Sequence, residues 1–201
     1  MKADTRAPQG FHLNIEVPRE PMEVLHIDFT EVNGKFVMTV VDRFSKRAWC
    51  VLLIATDAKS VAVAFFSRIV TQWGLPKAIV SDRDARFTGK FWRELMSLYG
   101  CELLFSTAFH PQTDGMAEVT NRTLKQLLLC CAEEEDWEEK LPYLEMVYNS
   151  SPQSRTKESP HYVMVGRQLK FPVDLDFSEA IVPAATETAS EMQAVWERVR
   201  Q

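Results

Sequence analysis

Apolar and polar positions along the chain fall into short blocks that switch between a period of two and a period near 3.6. Three runs of strand type come first, Val24–Val32, Lys35–Val41 and Arg47–Ile54. Asn33-Gly34 between the first two is a type I′ hairpin signal, so these strands are expected to be antiparallel neighbours. Thr56-Asp57 offers an N-cap, and Ala62, Phe65, Phe66, Ile69 and Trp73 trace one face of a helix that Gly74 and Pro76 stop. A strand over Lys77–Ser81 follows. Thr88 then caps a helix with Phe91, Trp92, Leu95, Leu98 and Tyr99 on its apolar face, ended by Gly100. Glu102–Phe105 reads as a fifth strand.

Residues 106–117 read as a turn-rich loop with Pro111 and Asp114-Gly115 as breakers, and a strongly periodic helix follows. Its apolar stripe is Leu124, Leu127, Leu128 and Cys131; its polar stripe is Glu118, Asn121, Arg122 and Lys125. Asp136 and Glu139 suggest a capping box for a further helix with Trp137, Leu141, Leu144 and Tyr148 inward, and Pro142 marks an alternative start. The order βββαβαβα predicts an α/β fold in which a five-stranded mixed sheet is flanked by helices. Residues 1–22, with three prolines and little periodicity, read as an extended leader or linker. The core is expected over 23–173, and 174–201 as a C-terminal extension whose Thr186–Gln201 stretch has an amphipathic pattern.

Composition narrows this picture. With 201 residues and 46% hydrophobic content, one globular domain with a sizeable core is expected. No run of about 18 apolar residues predicts a membrane-spanning helix, and the first residues lack the hydrophobic region of a signal peptide. The four cysteines have neither disulfide-framework nor zinc spacing. The net charge of −5 argues against tight DNA binding by the isolated domain, since DNA-binding domains are usually basic. Acid is concentrated in Glu133–Glu139, however, and Arg83, Arg86, Lys90, Arg93, Arg122 and Lys125 lie closer in sequence to the candidate site.

Three carboxylates carry the candidate chemistry. Asp28 sits in the middle of the first strand, Asp82 directly follows the fourth, and Glu118 occupies the first turn of the periodic helix. Fifty-three residues separate Asp28 from Asp82, and 35 separate Asp82 from Glu118. A carboxylate in an apolar strand is costly unless it is paired, hydrogen-bonded or bound to metal. Carboxylates without His or Cys partners suit a hard cation such as Mg²⁺. Asp42, Asp84 and Asp114 have simpler accounts: an ion pair with Arg43 at the end of the sheet for Asp42, and turn-forming side chains for the other two.

These residues resemble the catalytic core of retroviral and retrotransposon integrases, most closely the gypsy-type LTR retrotransposon branch. The resemblance spans roughly residues 20–173. It is carried by His26-Ile-Asp-Phe29, Val40-Val-Asp-Arg-Phe-Ser-Lys46, Ile79-Val-Ser-Asp-Arg-Asp-Ala-Arg-Phe-Thr88, Phe91-Trp92, Ser106 through Asn121 with its His-Pro-Gln-Thr-Asp-Gly, Ser159-Pro160 and Gly166-Arg167. It implies a ribonuclease H-like fold and a metal-dependent polynucleotidyl transferase that performs DNA end processing and strand transfer. Asp28, Asp82 and Glu118 would be both the catalytic residues and the ligands of two Mg²⁺ (or Mn²⁺) ions per active site, with Asp28 bridging. Asn121, Arg122 and Lys125 would contact DNA. The implied partners are element-end DNA and target DNA, together with other copies of the chain in a homo-oligomer (dimer or higher), and no membrane. The implied location is the nucleus, with a cytoplasmic stage before import.

Val119 departs from the branch, which commonly carries a basic residue directly after the catalytic glutamate. No His/Cys cluster matching the family's zinc module occurs in the leader, so the chain reads as a fragment. Two other readings fit the same residues: a host-domesticated module that binds DNA or protein without catalysis, and a ribonuclease H-type nuclease.

Overall fold

A computed structural model describes residues 18–81, 89–105, 111–133, 136–154 and 156–170, with side chains from Thr120 onward in the helix that begins at Pro111. The leader before residue 18 and the extension beyond 170 lie outside the described residues.

Strands β1 (Val24–Val32), β2 (Lys35–Asp42) and β3 (Ala48–Leu53) form an antiparallel meander. Asn33 and Gly34 have φ of 49° and 76°, the two positive values that a type I′ turn needs to match the strand twist. Helix α1 begins at Ala58–Phe65, runs through a π-helical turn Phe66–Val70 and ends at Thr71–Trp73. Asp57 caps it by accepting from the Lys59 and Ser60 amides, both at 3.1 Å. The chain then crosses to β4 (Ala78–Ser81), passes through α2 (Lys90–Leu98) and enters β5 (Glu102–Phe105). The sheet order is β3-β2-β1-β4-β5, with β4 parallel to both β1 and β5. β1 is therefore the central strand, hydrogen-bonded along both edges. Helices α3 (Pro111–Cys131), α4 (Trp137–Ser150) and α5 (Pro160–Val165) complete the described fold.

Side-chain alternation divides the core between the two faces of the sheet. Leu25, Ile27, Met38, Val40, Trp49 and Ile79 pack against Phe65 and Ile69 of α1 and Trp92 and Met96 of α2. On the other face Val32, Val37 and Cys50 meet Leu128 of α3 with Trp137, Leu141 and Leu144 of α4, while Val41 and Ala48 meet Leu124 and Tyr148.

Four local expectations change. Helix α3 already starts at Pro111, because proline at a first helical position loses no hydrogen bond and has φ preset for the helix; Asp114-Gly115 lies inside the helix. In α2 the N-cap is Gly89 and the inward residues are Trp92 and Met96, whereas Phe91, Leu98 and Tyr99 are exposed. In α3, Thr120 takes the inward place assigned to Leu127, which is exposed. The Asp136 side chain makes no capping bond and instead holds Lys140 at 2.7 Å, so the capping box is not formed although the helix starts where it was expected.

Candidate active site

Asp28 is half-buried in β1, directly opposite Thr39 of β2. Residues directly opposite each other in an antiparallel pair point to the same face, as do residues two apart in one strand. The row Asp28–Thr39–Cys50 lies between the row of Val41 and Ala48, which touches Leu124, and the row of Val37, which belongs to the Leu128 cluster. The Asp28 side chain thus stands on the face covered by α3 and α4. One of its oxygens, Oδ1, accepts from the Phe29 amide at 2.8 Å, and the Thr39 hydroxyl donates to the Asp28 carbonyl at 3.3 Å. No cationic side chain pairs with its carboxylate among the described residues.

β4 runs beside β1 with Ile27 opposite Ser81. Ser81 is fully buried and is the last described residue before Asp82, which itself lies outside the described residues. Glu118 belongs to α3, which packs on β1 and β2, but its side chain is also outside the described set. Among the described residues no three His, Cys, Asp or Glu are grouped to hold a metal. The structure therefore places the Asp28 carboxylate on the face that Glu118's helix covers, and ends β4 next to Asp28; the meeting of the three carboxylates lies beyond what is described.

The three residues expected at DNA separate. Arg122 and Lys125 are exposed on α3. Asn121 is half-buried, and its Oδ1 is enclosed with no hydrogen-bond partner among the described residues. Asp42 is fully buried, and the Met22 amide (3.0 Å), the Ser45 amide (2.7 Å) and the Ser45 hydroxyl (2.6 Å) satisfy its carboxylate. Those bonds account for it without the expected ion pair with Arg43.

Two polar clusters beside β3 were not singled out in the sequence. At the outer edge of β3, the Asn149 carboxamide accepts from the Ala48 amide and donates to the Ala48 carbonyl, both at 2.8 Å. One helical turn earlier, Glu145 accepts from the Cys50 amide at 3.0 Å and from Arg68 at 2.8 Å. Burial pushes the Glu145 carboxyl above its ordinary value, against the pull of the Cys50 amide, Arg68 and Arg47. The second cluster centres on Arg47, which lies 4.9 Å from the Trp73 ring and 5.6 Å from the Trp49 ring and contacts His161 Nδ1 at 2.7 Å. Glu145 and Asn149, spaced i, i+4 beside the inward Leu144 and Tyr148, were the one available sequence signal. A helix face that is apolar except for two polar residues one turn apart needs partners for both.

A five-stranded mixed sheet in this order, with helices on both faces, is the ribonuclease H-like fold of retroviral integrase catalytic cores. The HTLV-2 integrase catalytic core domain, solved in complex with magnesium in a trimeric form, superposes with a TM-score of 0.59 at 16% identity, covering 73% of this chain and 98% of that one. Residues 18–111 match the integrase core domain family. The Gag-Pol polyprotein of Walleye dermal sarcoma virus is 32% identical over 160 residues, 77% of this chain and 9% of the polyprotein. The Transposon Tf2-3 polyprotein of Schizosaccharomyces pombe is 32% identical over 175 residues, 81% of this chain and 13% of the polyprotein. The chain thus spans only a small part of the curated relatives it matches.

Proposed function

We propose that the chain is the catalytic core of a gypsy-type LTR retrotransposon integrase, a polynucleotidyl transferase that processes element DNA ends and joins them to target DNA. The observation carrying this reading is the placement of Asp28: mid-way along the central strand, without a cationic partner among the described residues, on the face that Glu118's helix covers. Ala78 and Val80 cluster with Val24 on that face, and one more step of alternation would bring Asp82 to it. The match to integrase core domains and the likeness to retroviral and transposon polyproteins support the same assignment.

The donor set fits a hard divalent cation. Among the described residues the half-buried Asp28 carboxylate accepts only from its neighbour's amide and meets no counter-charge, and oxygen ligands suit Mg²⁺ or Mn²⁺. Asp28, Asp82 and Glu118 would hold two such ions, which supply Lewis-acid stabilisation of the oxygens in an in-line phosphoryl displacement. Asp28 contributes rigidity, since its strand is hydrogen-bonded on both sides and cannot shift without opening the sheet. Arg122 and Lys125 present charge to the DNA backbone from the exposed side of α3. Self-association is assigned to the opposite end of the sheet edge, where Ile54 and Val63 are exposed around an apolar groove of about 690 Å³ between β3 and α1. A nuclear site of action, reached through the cytoplasm, follows from integration into host DNA.

The test is Asp82→Asn beside Asp84→Asn. In the parent chain Mg²⁺ or Mn²⁺ at ten times Kd contributes roughly 1.4 kcal/mol, raising Tm by about 3–6 °C. Asp82→Asn is expected to leave the metal-free Tm equal or higher while losing both the metal-induced rise and the joining of a labelled DNA end. Asp84→Asn should behave like the parent. Loss in Asp84→Asn with retention in Asp82→Asn would redraw the triad, and cleavage of an RNA–DNA hybrid in place of DNA joining would move the chain to the ribonucleases H.

A further inference from the structure

The catalytic reading does not use the strongest polar contact between α4 and the sheet. Asn149 is 1% exposed and spends both halves of its carboxamide on Ala48, taking the N–H and giving to the C=O at 2.8 Å each. β3 is the edge strand, so these are the two backbone groups that a further strand would otherwise bind. Glu145 does the same for the Cys50 amide. Together they fix the register of α4 along β3 at two points. The Ala48 side chain, on the strand segment so held, packs with Val41, with Tyr148 next to Asn149 in the chain, and with Leu124 of α3. Leu124 is also the fully buried anchor one turn after Thr120, itself two residues past Glu118.

We propose that Asn149 is a positioning residue for the carboxylate site: by clamping Ala48 it fixes the seat on which α3 rests, and through that seat the register of Glu118's helix over β1. The inference rests on the carboxylate reading given above. Loss of the clamp leaves the Ala48 amide and carbonyl unpaired at a buried edge and frees α4 to slide against β3. Leu124 then loses its defined partner, and α3 shifts or rocks on the sheet. Glu118's helix is then no longer held in one register over the strand that carries Asp28.

Asn149→Ala is compared with Asn149→Asp, which keeps the acceptor for the Ala48 amide but not the donor, and with Ile69→Val, a core change on the opposite face. The readouts are Mn²⁺ half-saturation by calorimetry and amide exchange across residues 120–128, both on the full chain. Asn149→Ala should raise the half-saturation concentration for Mn²⁺ above that of both the parent chain and Ile69→Val. It should also speed exchange in α3 more than Ile69→Val does, with Asn149→Asp intermediate in both. If Asn149→Ala does not fold, Asn149→Asp against Ile69→Val decides in its place. Unchanged half-saturation and α3 exchange no faster than in Ile69→Val overturn the inference. Should the parent chain bind no Mn²⁺, the carboxylate reading fails, and α3 exchange alone still decides whether the clamp seats the helix.

Discussion

Arg47 can only donate, so the 2.7 Å contact with His161 requires the imidazole Nδ1 to accept and the ring to be neutral. Burial, Arg47 and Arg167 all hold the His161 pKa below its ordinary value, while Glu145 acts on Arg47 from α4. The unfolded chain takes up this proton at a pH of about 6.5, before the folded chain does. Stability from this site is therefore complete above that pH and is lost as pH falls through the folded value. Urea unfolding of His161→Gln at pH 7.5 and 5.5 should show a smaller loss on acidification than the parent chain. Asp28 was legible in the sequence because a carboxylate inside an apolar strand breaks the pattern around it. Arg47 and His161 were not, because nothing local in a sequence brings together residues 114 apart.

Helix α5 shows how much a short element depends on its ends. Ser159 accepts from the Tyr162 amide at 3.2 Å, Pro160 occupies the first turn, and Gly166 closes the helix at φ 74°. A Cβ at Gly166 would meet nothing within 4 Å, so Gly166→Ala tests backbone strain alone. Denaturation should register a loss of about 1–2 kcal/mol, the cost of the left-handed conformation for a residue with a Cβ. Boundaries marked by hydrogen-bonding side chains or glycines were legible in advance at the Asn33-Gly34 turn, the Asp57 cap and the Gly74 stop, whereas α5 itself was not among the expected elements. The face of α2 was not. Its apolar residues spread over an arc of about 160° at 100° per residue, and which part of that arc turns inward is decided by the fit of Trp92 against Phe65, rings 6.2 Å apart, rather than by periodicity.

Taken as one body, the molecule has no spare tryptophan to offer a partner at Trp92 or Trp137. Both belong to the buried core. The exposed apolar surface at Ile54 and Val63, beside the exposed end of β3, replaces them. Ile54→Asp should leave the monomer fold intact, since Ile54 touches solvent throughout, and should shift sedimentation towards monomer at high micromolar concentration. The layered sheet with helices on both faces was readable from the element order because consecutive strands with short turns pair and intervening helices must cross. The strand order was not, because the finished meander leaves both β1 and β3 as open edges and nothing local in the sequence says which one β4 joins.

That strand order also sets a sequence of events. The meander closes through short turns, whereas β4 reaches β1 only after the chain has returned through the whole of β2, β3 and α1, at a higher entropic cost of closure. Until then β1 is an edge, and Asp28 stays solvated during the stage when a lone buried charge would be most damaging. Its desolvation is deferred further, to the step in which α3 packs over β1 and β2, so the nascent chain buries the carboxylate only as Glu118's helix arrives.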